Sequence, residues 1–142
     1  MAAGKILVVE DNASDVYVLR RALVDLGEEF DLQILADGAQ ALQFVHSRRK
    51  NLEDTEPCVI VLDLHLPKHD GLEVLRAIRL EPILSHIHVV VMTGTVSPDE
   101  QAELRSMGAD YRLKPRTLPD FTELAADLIA ICKGTQSVVS ET

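Results

Sequence analysis

Apolar residues along this chain follow two alternating patterns. One is the short unbroken run: Ile6 to Val9 within KILVVE (Lys5–Glu10), Val59 to Leu62 ahead of Asp63, and Val89 to Met92 within HVVVMT (His88–Thr93). Runs without polar alternation suit strands covered on both faces, the condition inside a parallel sheet. DLQILA (Asp31–Ala36) and the shorter DYRL (Asp110–Leu113) read as two more strands. The other pattern is helical. Val16, Leu19, Leu23 and Leu26 recur at helical spacing between Asn12, a good cap, and Gly27, a stop signal. A second helix is predicted from Gly38 to about Arg49 and a third from about Leu72 to Glu81. Ser97-Pro98-Asp99-Glu100 opens a fourth, which runs to Met107. Ser97 caps it, Pro98 takes the first helical position and Glu100 completes a capping box. The last helix starts near Pro119 and turns Phe121, Leu124, Ala125 and Leu128 inward.

Strand and helix therefore alternate through five units. That order predicts an α/β fold with right-handed crossovers and helices on both faces of a parallel sheet. The 142 residues suit one domain, expected over residues 1–132, with a polar, frayed tail at 133–142. No output domain is expected after the last helix. At 46% hydrophobic and 26% charged the composition is that of an ordinary globular protein. The net charge of -9 argues against nucleic acid as the main ligand, since phosphate contacts need Lys and Arg. The local basic group Arg48-Arg49-Lys50 reads as a solvated helix end, followed by an acidic loop at Asn51–Pro57. The apolar start is too short for a membrane span or a signal peptide, so a cytoplasmic location is expected. Cys58 and Cys132 sit in apolar runs and read as small core residues, not as a disulfide.

Parallel sheets of this kind bind ligands beyond the carboxyl ends of their strands. The first strand ends in Glu10-Asp11, the third in Asp63, and the fourth in Thr93-Gly94; Lys114-Pro115 follows the fifth. Each end alone has a plain structural reading: a helix-start acid pair, a turn or cap aspartate, a turn hydroxyl, a solvated lysine. Together they form a coherent set. Clustered carboxylates repel one another unless a cation joins them. Two or three carboxylates with waters suit Mg²⁺, which keeps open positions for a phosphoryl group. A carboxylate can then act as nucleophile and form an aspartyl phosphate, while Lys114 and the Thr93 hydroxyl meet the phosphoryl oxygens.

The motifs VVED (Val8–Asp11), VLDLHLPKHDG (Val61–Gly71), MTGT (Met92–Thr95) and DYRLKP (Asp110–Pro115) resemble those of response-regulator receiver domains. The resemblance spans roughly Lys5 to Ile131. It implies a flavodoxin-like, doubly wound sheet of five strands in the order 2-1-3-4-5, with five helices. It also implies a phosphoacceptor signalling protein, not an enzyme acting on a separate substrate. By resemblance Asp63 is the phosphoacceptor. Glu10, Asp11, Asp63 and the backbone carbonyl of His65 hold Mg²⁺, Lys114 contacts the phosphoryl group, and Thr93 and Tyr111 form a switch pair. LPKHDGLEVLRAIR, with the acidic insertion, is similar to stand-alone regulators paired with bacterial phytochrome-type histidine kinases. The partner expected is then a sensor histidine kinase, with neither nucleic acid nor membrane.

Three features depart from the commonest family pattern. Glu10 stands where Asp is more frequent, Arg116 where an apolar residue is common, and His65 and Thr95 flank the site at positions that tune phosphoryl lifetime. The sparsely apolar fourth helix is the expected moving part. With the fifth strand and fifth helix it forms a face on which Asp99, Glu100, Arg105, Asp110, Arg112 and Arg116 carry both signs of charge. Reciprocal ion pairs there suit a homodimer.

Other chemistries fit less well. Asp63, His65, His69 and Asp70 could suggest zinc, but Pro67 breaks the helix that would align the two histidines. MTGTVS resembles a flavodoxin phosphate loop but follows the fourth strand, and aromatics are few. An aspartate-nucleophile phosphatase would want an acid where His65 stands. The alternative from another class is a receiver-shaped interaction protein without phosphate turnover.

Overall fold

Short apolar runs covered on both sides and capped amphipathic segments between them build ten elements. The computed structural model describes residues 4–48, 56–68, 70–95 and 97–134. In order these are β1 (Lys5–Val9), α1 (Ala13–Asp25), β2 (Asp31–Leu35), α2 (Gly38–His46) and β3 (Val59–Asp63). Then follow α3 (Gly71–Leu80), β4 (His88–Thr93), α4 (Pro98–Ser106), β5 (Asp110–Leu113) and α5 (Leu118–Cys132). The five strands form one sheet in the order β2-β1-β3-β4-β5, every pair parallel.

The two faces explain the unbroken runs. Leu7, Val9, Ile60, Leu62, Val89 and Val91 point to the face covered by α2, α3 and Leu104 of α4. The alternate residues Ile6, Val8, Val59, Val61, Val90 and Met92 point to α1 and α5. Neither parity is left to water, so neither parity is polar. The edge strands β2 and β5 are partly exposed and correspondingly more polar.

Local capping places the helices. The Asn12 side chain accepts from the amides of Ser14 and Asp15, Asp37 from Gln40, Asp70 from Glu73, and Thr117 from Asp120. The predicted capping box between Ser97 and Glu100 is present, with Pro98 inside it. Strand and helix ends shift from expectation by up to about three residues. Leu26 falls beyond α1 and is exposed, since the chain turns there into Gly27 at φ 82°.

Two expectations are corrected. Cys58 and Cys132 are not separate core residues: they are half-buried and joined in a disulfide. Cys58 immediately precedes β3 and Cys132 ends α5, and packing α5 along that sheet face brings their Cα atoms to 5.1 Å across 74 residues. Arg48 is not solvated. Helix α2 stops at His46, and Arg48, four residues after Phe44, is buried with its guanidinium 4.3 Å from the centroid of the Phe44 ring. Arg49 and Lys50, and the acidic loop as far as Thr55, lie outside the described residues. Of the expected tail, Lys133 caps α5 and pairs with Glu28 at 2.7 Å, and 135–142 lie outside the described residues. No helix among the described residues is long and apolar enough to cross a membrane.

Candidate functional site

The sheet register brings the strand ends together. Val9 stands opposite Leu62 and Asp63 opposite Met92, so Glu10, Asp63 and Thr93 fall on one edge. Backbone ladders continue past the strands and hold these positions. The Glu10 amide donates to the Leu35 carbonyl at 3.0 Å, Leu64 to Met92 at 2.9 Å, and Lys114 to Thr93 at 2.9 Å. The turn after Asp63 packs directly under the first residue of α3. A Cβ on Gly71 would stand 2.7 Å from the Asp63 carbonyl oxygen and from the Leu64 Cα, so only glycine lets the helix start there.

Three carboxylates meet at this edge. Glu10, Asp11 and Asp63 each place one oxygen within 4.8 Å of the others. Their environments differ. Glu10 and Asp63 are buried, at 2% and 3% exposure, while Asp11 is open to solvent. Asp63 Oδ1 accepts from the His65 amide at 3.0 Å and Oδ2 from the Lys114 ammonium at 3.1 Å. Glu10 Oε2 accepts from the Asn12 amide at 3.1 Å. Its Oε1 is buried without a hydrogen-bond donor, although the Lys114 ammonium lies 3.2 Å away.

The charges do not balance. Burial, and then the nearby Asp63 charge, push the Glu10 carboxyl up to about 7; the Asn12 amide and the Lys114 charge oppose this only in part. Burial works against the Lys114 ammonium, but its contacts with Asp63 and Glu10 outweigh that and raise its pKa. One ammonium thus serves two of the three clustered acids, Glu10 and Asp63, and is also 3.9 Å from Asp15. A surplus of carboxylate charge beside a buried oxygen lacking a donor fits a hard divalent cation with oxygen ligands.

Of the residues named from sequence, Glu10, Asp11, Asp63 and Lys114 come together, with His65 bound through its amide. Thr93 is fully buried and its hydroxyl donates to the Thr95 carbonyl. Tyr111 sits on β5 opposite Val91 and is 39% exposed. Among the described residues the acid cluster includes no histidine, and His69 lies outside them.

Two features escaped the sequence reading. Asp15 faces Lys114 from the first turn of α1, four positions after Asp11, a spacing that was the available signal. The turn carrying His65 is also fastened to α2. Pro67 accepts from the Gly38 amide at 3.1 Å, and Lys68, at φ 73°, reaches Asp37 at 3.3 Å. The Gln40 amide, more than Lys68, holds the Asp37 carboxyl below its usual range.

Comparison with known proteins bears on the family and the fold. The family model of the response regulator receiver domain matches residues 6–125. Response regulator Rcp1 of Synechocystis sp. is 34% identical over 120 residues, covering 84% of this chain and 82% of that protein. The solved Mn²⁺-bound form of Rcp1 superposes with a TM-score of 0.76 at 32% identity, over 89% of this chain and 92% of that one. The phosphorylated cyanobacterial phytochrome response regulator RcpA gives 0.80 at 28% identity, over 93% and 95%.

Proposed function

The chain belongs to the response regulator receiver family, and from that premise we propose that it is a phosphorylation switch whose acceptor is Asp63. The observation that carries the reading is the setting of Asp63: buried at a strand end, held by the His65 amide and Lys114, beside an acid pair with an unsatisfied oxygen. The donor is the phosphohistidine of a sensor kinase. The similarity to phytochrome response regulators supports a kinase of phytochrome type. Such exchange belongs to the cytoplasm, without membrane or nucleic acid.

A carboxylate oxygen of Asp63 attacks phosphorus, the bond to the donor imidazole breaks, and its electron pair returns to the ring. Mg²⁺, held by Glu10, Asp11, Asp63 and the His65 carbonyl, would screen the charge that gathers on the phosphoryl oxygens. Lys114 releases Asp63 and pairs with a phosphoryl oxygen. Thr93 gives up the Thr95 carbonyl and donates its hydroxyl to the same group. Tyr111 then turns inward behind Thr93.

The output is the face of α4, β5 and α5. Helix α4 buries only Leu104, so little apolar contact resists its displacement. On this face Arg112 pairs with Asp127, Asp110 with His88 and the Glu100 carboxylate with the Ser97 amide within the chain, while Asp99, Arg105 and Arg116 remain for a partner or a second copy. The test is intact mass after acetyl phosphate treatment, with and without Mg²⁺, beside Asp63→Asn. One added phosphoryl group requiring both Mg²⁺ and Asp63 is expected. No adduct under any condition overturns the proposal in favour of a receiver-shaped interaction protein.

A further inference from the structure

The chain holds two cysteines, and both lie in one bridge at the end of the sheet remote from the acids. Five steps along the strand separate Cys58 from Asp63, roughly 17 Å at the usual strand rise. We propose that Cys58 and Cys132 form a reversible thiol–disulfide site, a redox input that acts on α5 independently of the phosphorylation read at Asp63.

Four observations support reversibility over a fixed cross-link. Both cysteines are half-buried, and neither is sealed in the core. The Cys58 Sγ lies 3.4 Å from the Lys5 carbonyl oxygen, which is placed to accept from the thiol once the bridge opens. The same carbonyl accepts the Cys58 amide at 2.8 Å, so the backbone there stays held in either state. Gly4 leaves the sulfur room, since a Cβ at that position would stand 3.2 Å from Cys58 Sγ. Given the cytoplasmic phosphoryl exchange argued above, the redox setting agrees: disulfides in reducing compartments are usually transient or sensing.

The bridge has a target. It joins the residue before the phosphoacceptor strand to the last residue of α5, an element of the proposed output face. Without it the final turn of α5 keeps the partly buried Ile129 and Ile131 and the solvent-exposed Lys133–Glu28 pair. In the opening step a glutathione thiolate attacks one sulfur, the Sγ–Sγ bond breaks, and a mixed disulfide forms. A second glutathione resolves it. The protein gains two electrons and two protons, and glutathione leaves as its disulfide. Closure runs the same steps backwards with glutathione disulfide as the oxidant.

The test equilibrates the full chain in glutathione buffers of varied reduced-to-oxidised ratio, then counts free thiols by alkylation and intact mass. The expected result is a reversible two-thiol transition within that range. On opening, amide hydrogen exchange from Ile129 to Lys133 is expected to accelerate at least tenfold. Cys58→Ser should show the fast exchange at every ratio. A bridge that persists in native protein under excess reduced glutathione overturns the proposal, as does one that never forms, or exchange that does not change on opening. Acetyl phosphate labelling of Asp63 is followed in the same samples. Its failure in both redox states counts against the phosphorylation reading alone, while a thiol count insensitive to glutathione counts against this one alone.

Discussion

Helices α3 and α4 are neighbours of similar length, but they are held in place by different forces. Helix α3 buries Val74, Leu75 and Ile78 completely or nearly so, and starts on a glycine pressed against the turn after Asp63. Helix α4 buries only Leu104 and relies on polar ties. Its start is the Ser97–Glu100 capping box. Its end is received by Arg79 of α3, which donates to the Met107 carbonyl at 2.8 Å and the Gly108 carbonyl at 3.4 Å. Between them Arg76 Nε donates to Glu103 at 3.0 Å. Apolar burial is lost only when the core opens, whereas surface polar ties exchange with water at small net cost. Helix α3 can therefore serve as a fixed wall while α4 shifts on it.

The largest effect should come from attacking the wall. Leu75→Ala leaves a cavity in a fully buried site and should cost about 2–5 kcal/mol in urea unfolding. A cost below 1 kcal/mol would mean that α3 is no better anchored than α4.

A pH series separates the helices from the acid site. Glu10 has an ordinary pKa of 4.5 and about 7 in the folded chain, so between those values the folded state binds the extra proton. Stability measured in chelator should therefore fall as pH rises from about 4.5 to 7 and level off above it, by up to about 3 kcal/mol. Glu10→Gln should flatten that slope without touching either helix. If the slope survives the substitution, its source is elsewhere.

Smaller effects probe the more weakly anchored α4. Ser97→Ala removes the acceptor for the Glu100 amide and should cost about 1 kcal/mol, with hydrogen exchange accelerating in α4 before α3. Arg76→Ala breaks a pair whose side chains are 51% and 36% exposed, and should change stability by less than about 1 kcal/mol. Its mark should instead be a shift in the phosphoryl-analogue response of Tyr111 fluorescence. A large stability loss from either would place α4 among the rigid elements.

Local signals along the chain were enough for much of the molecule. Unbroken apolar runs at Ile6–Val9, Val59–Leu62 and Val89–Met92 mark doubly covered strands, because burial on both faces forbids polar residues at either parity. Ser97, Pro98 and Glu100 mark a helix start because capping is completed within one turn. The acids and the lysine at the strand ends were legible because a parallel sheet gathers those ends on one edge.

Other properties depended on segments far apart in the chain. Glu10 and Asp11 are adjacent and chemically alike, yet Glu10 is buried among Asp63 and Lys114 while Asp11 faces solvent. Asp15 gains its relation to Lys114 only when α1 and the end of β5 meet. Cys58 and Cys132 each looked complete as an apolar residue, and their pairing spans 74 residues. Period, capping and turn chemistry act within a few residues and so can be read from the chain. Burial, the electrostatic neighbourhood and covalent pairing depend on which distant segments the fold brings together, and only the tertiary structure decides them.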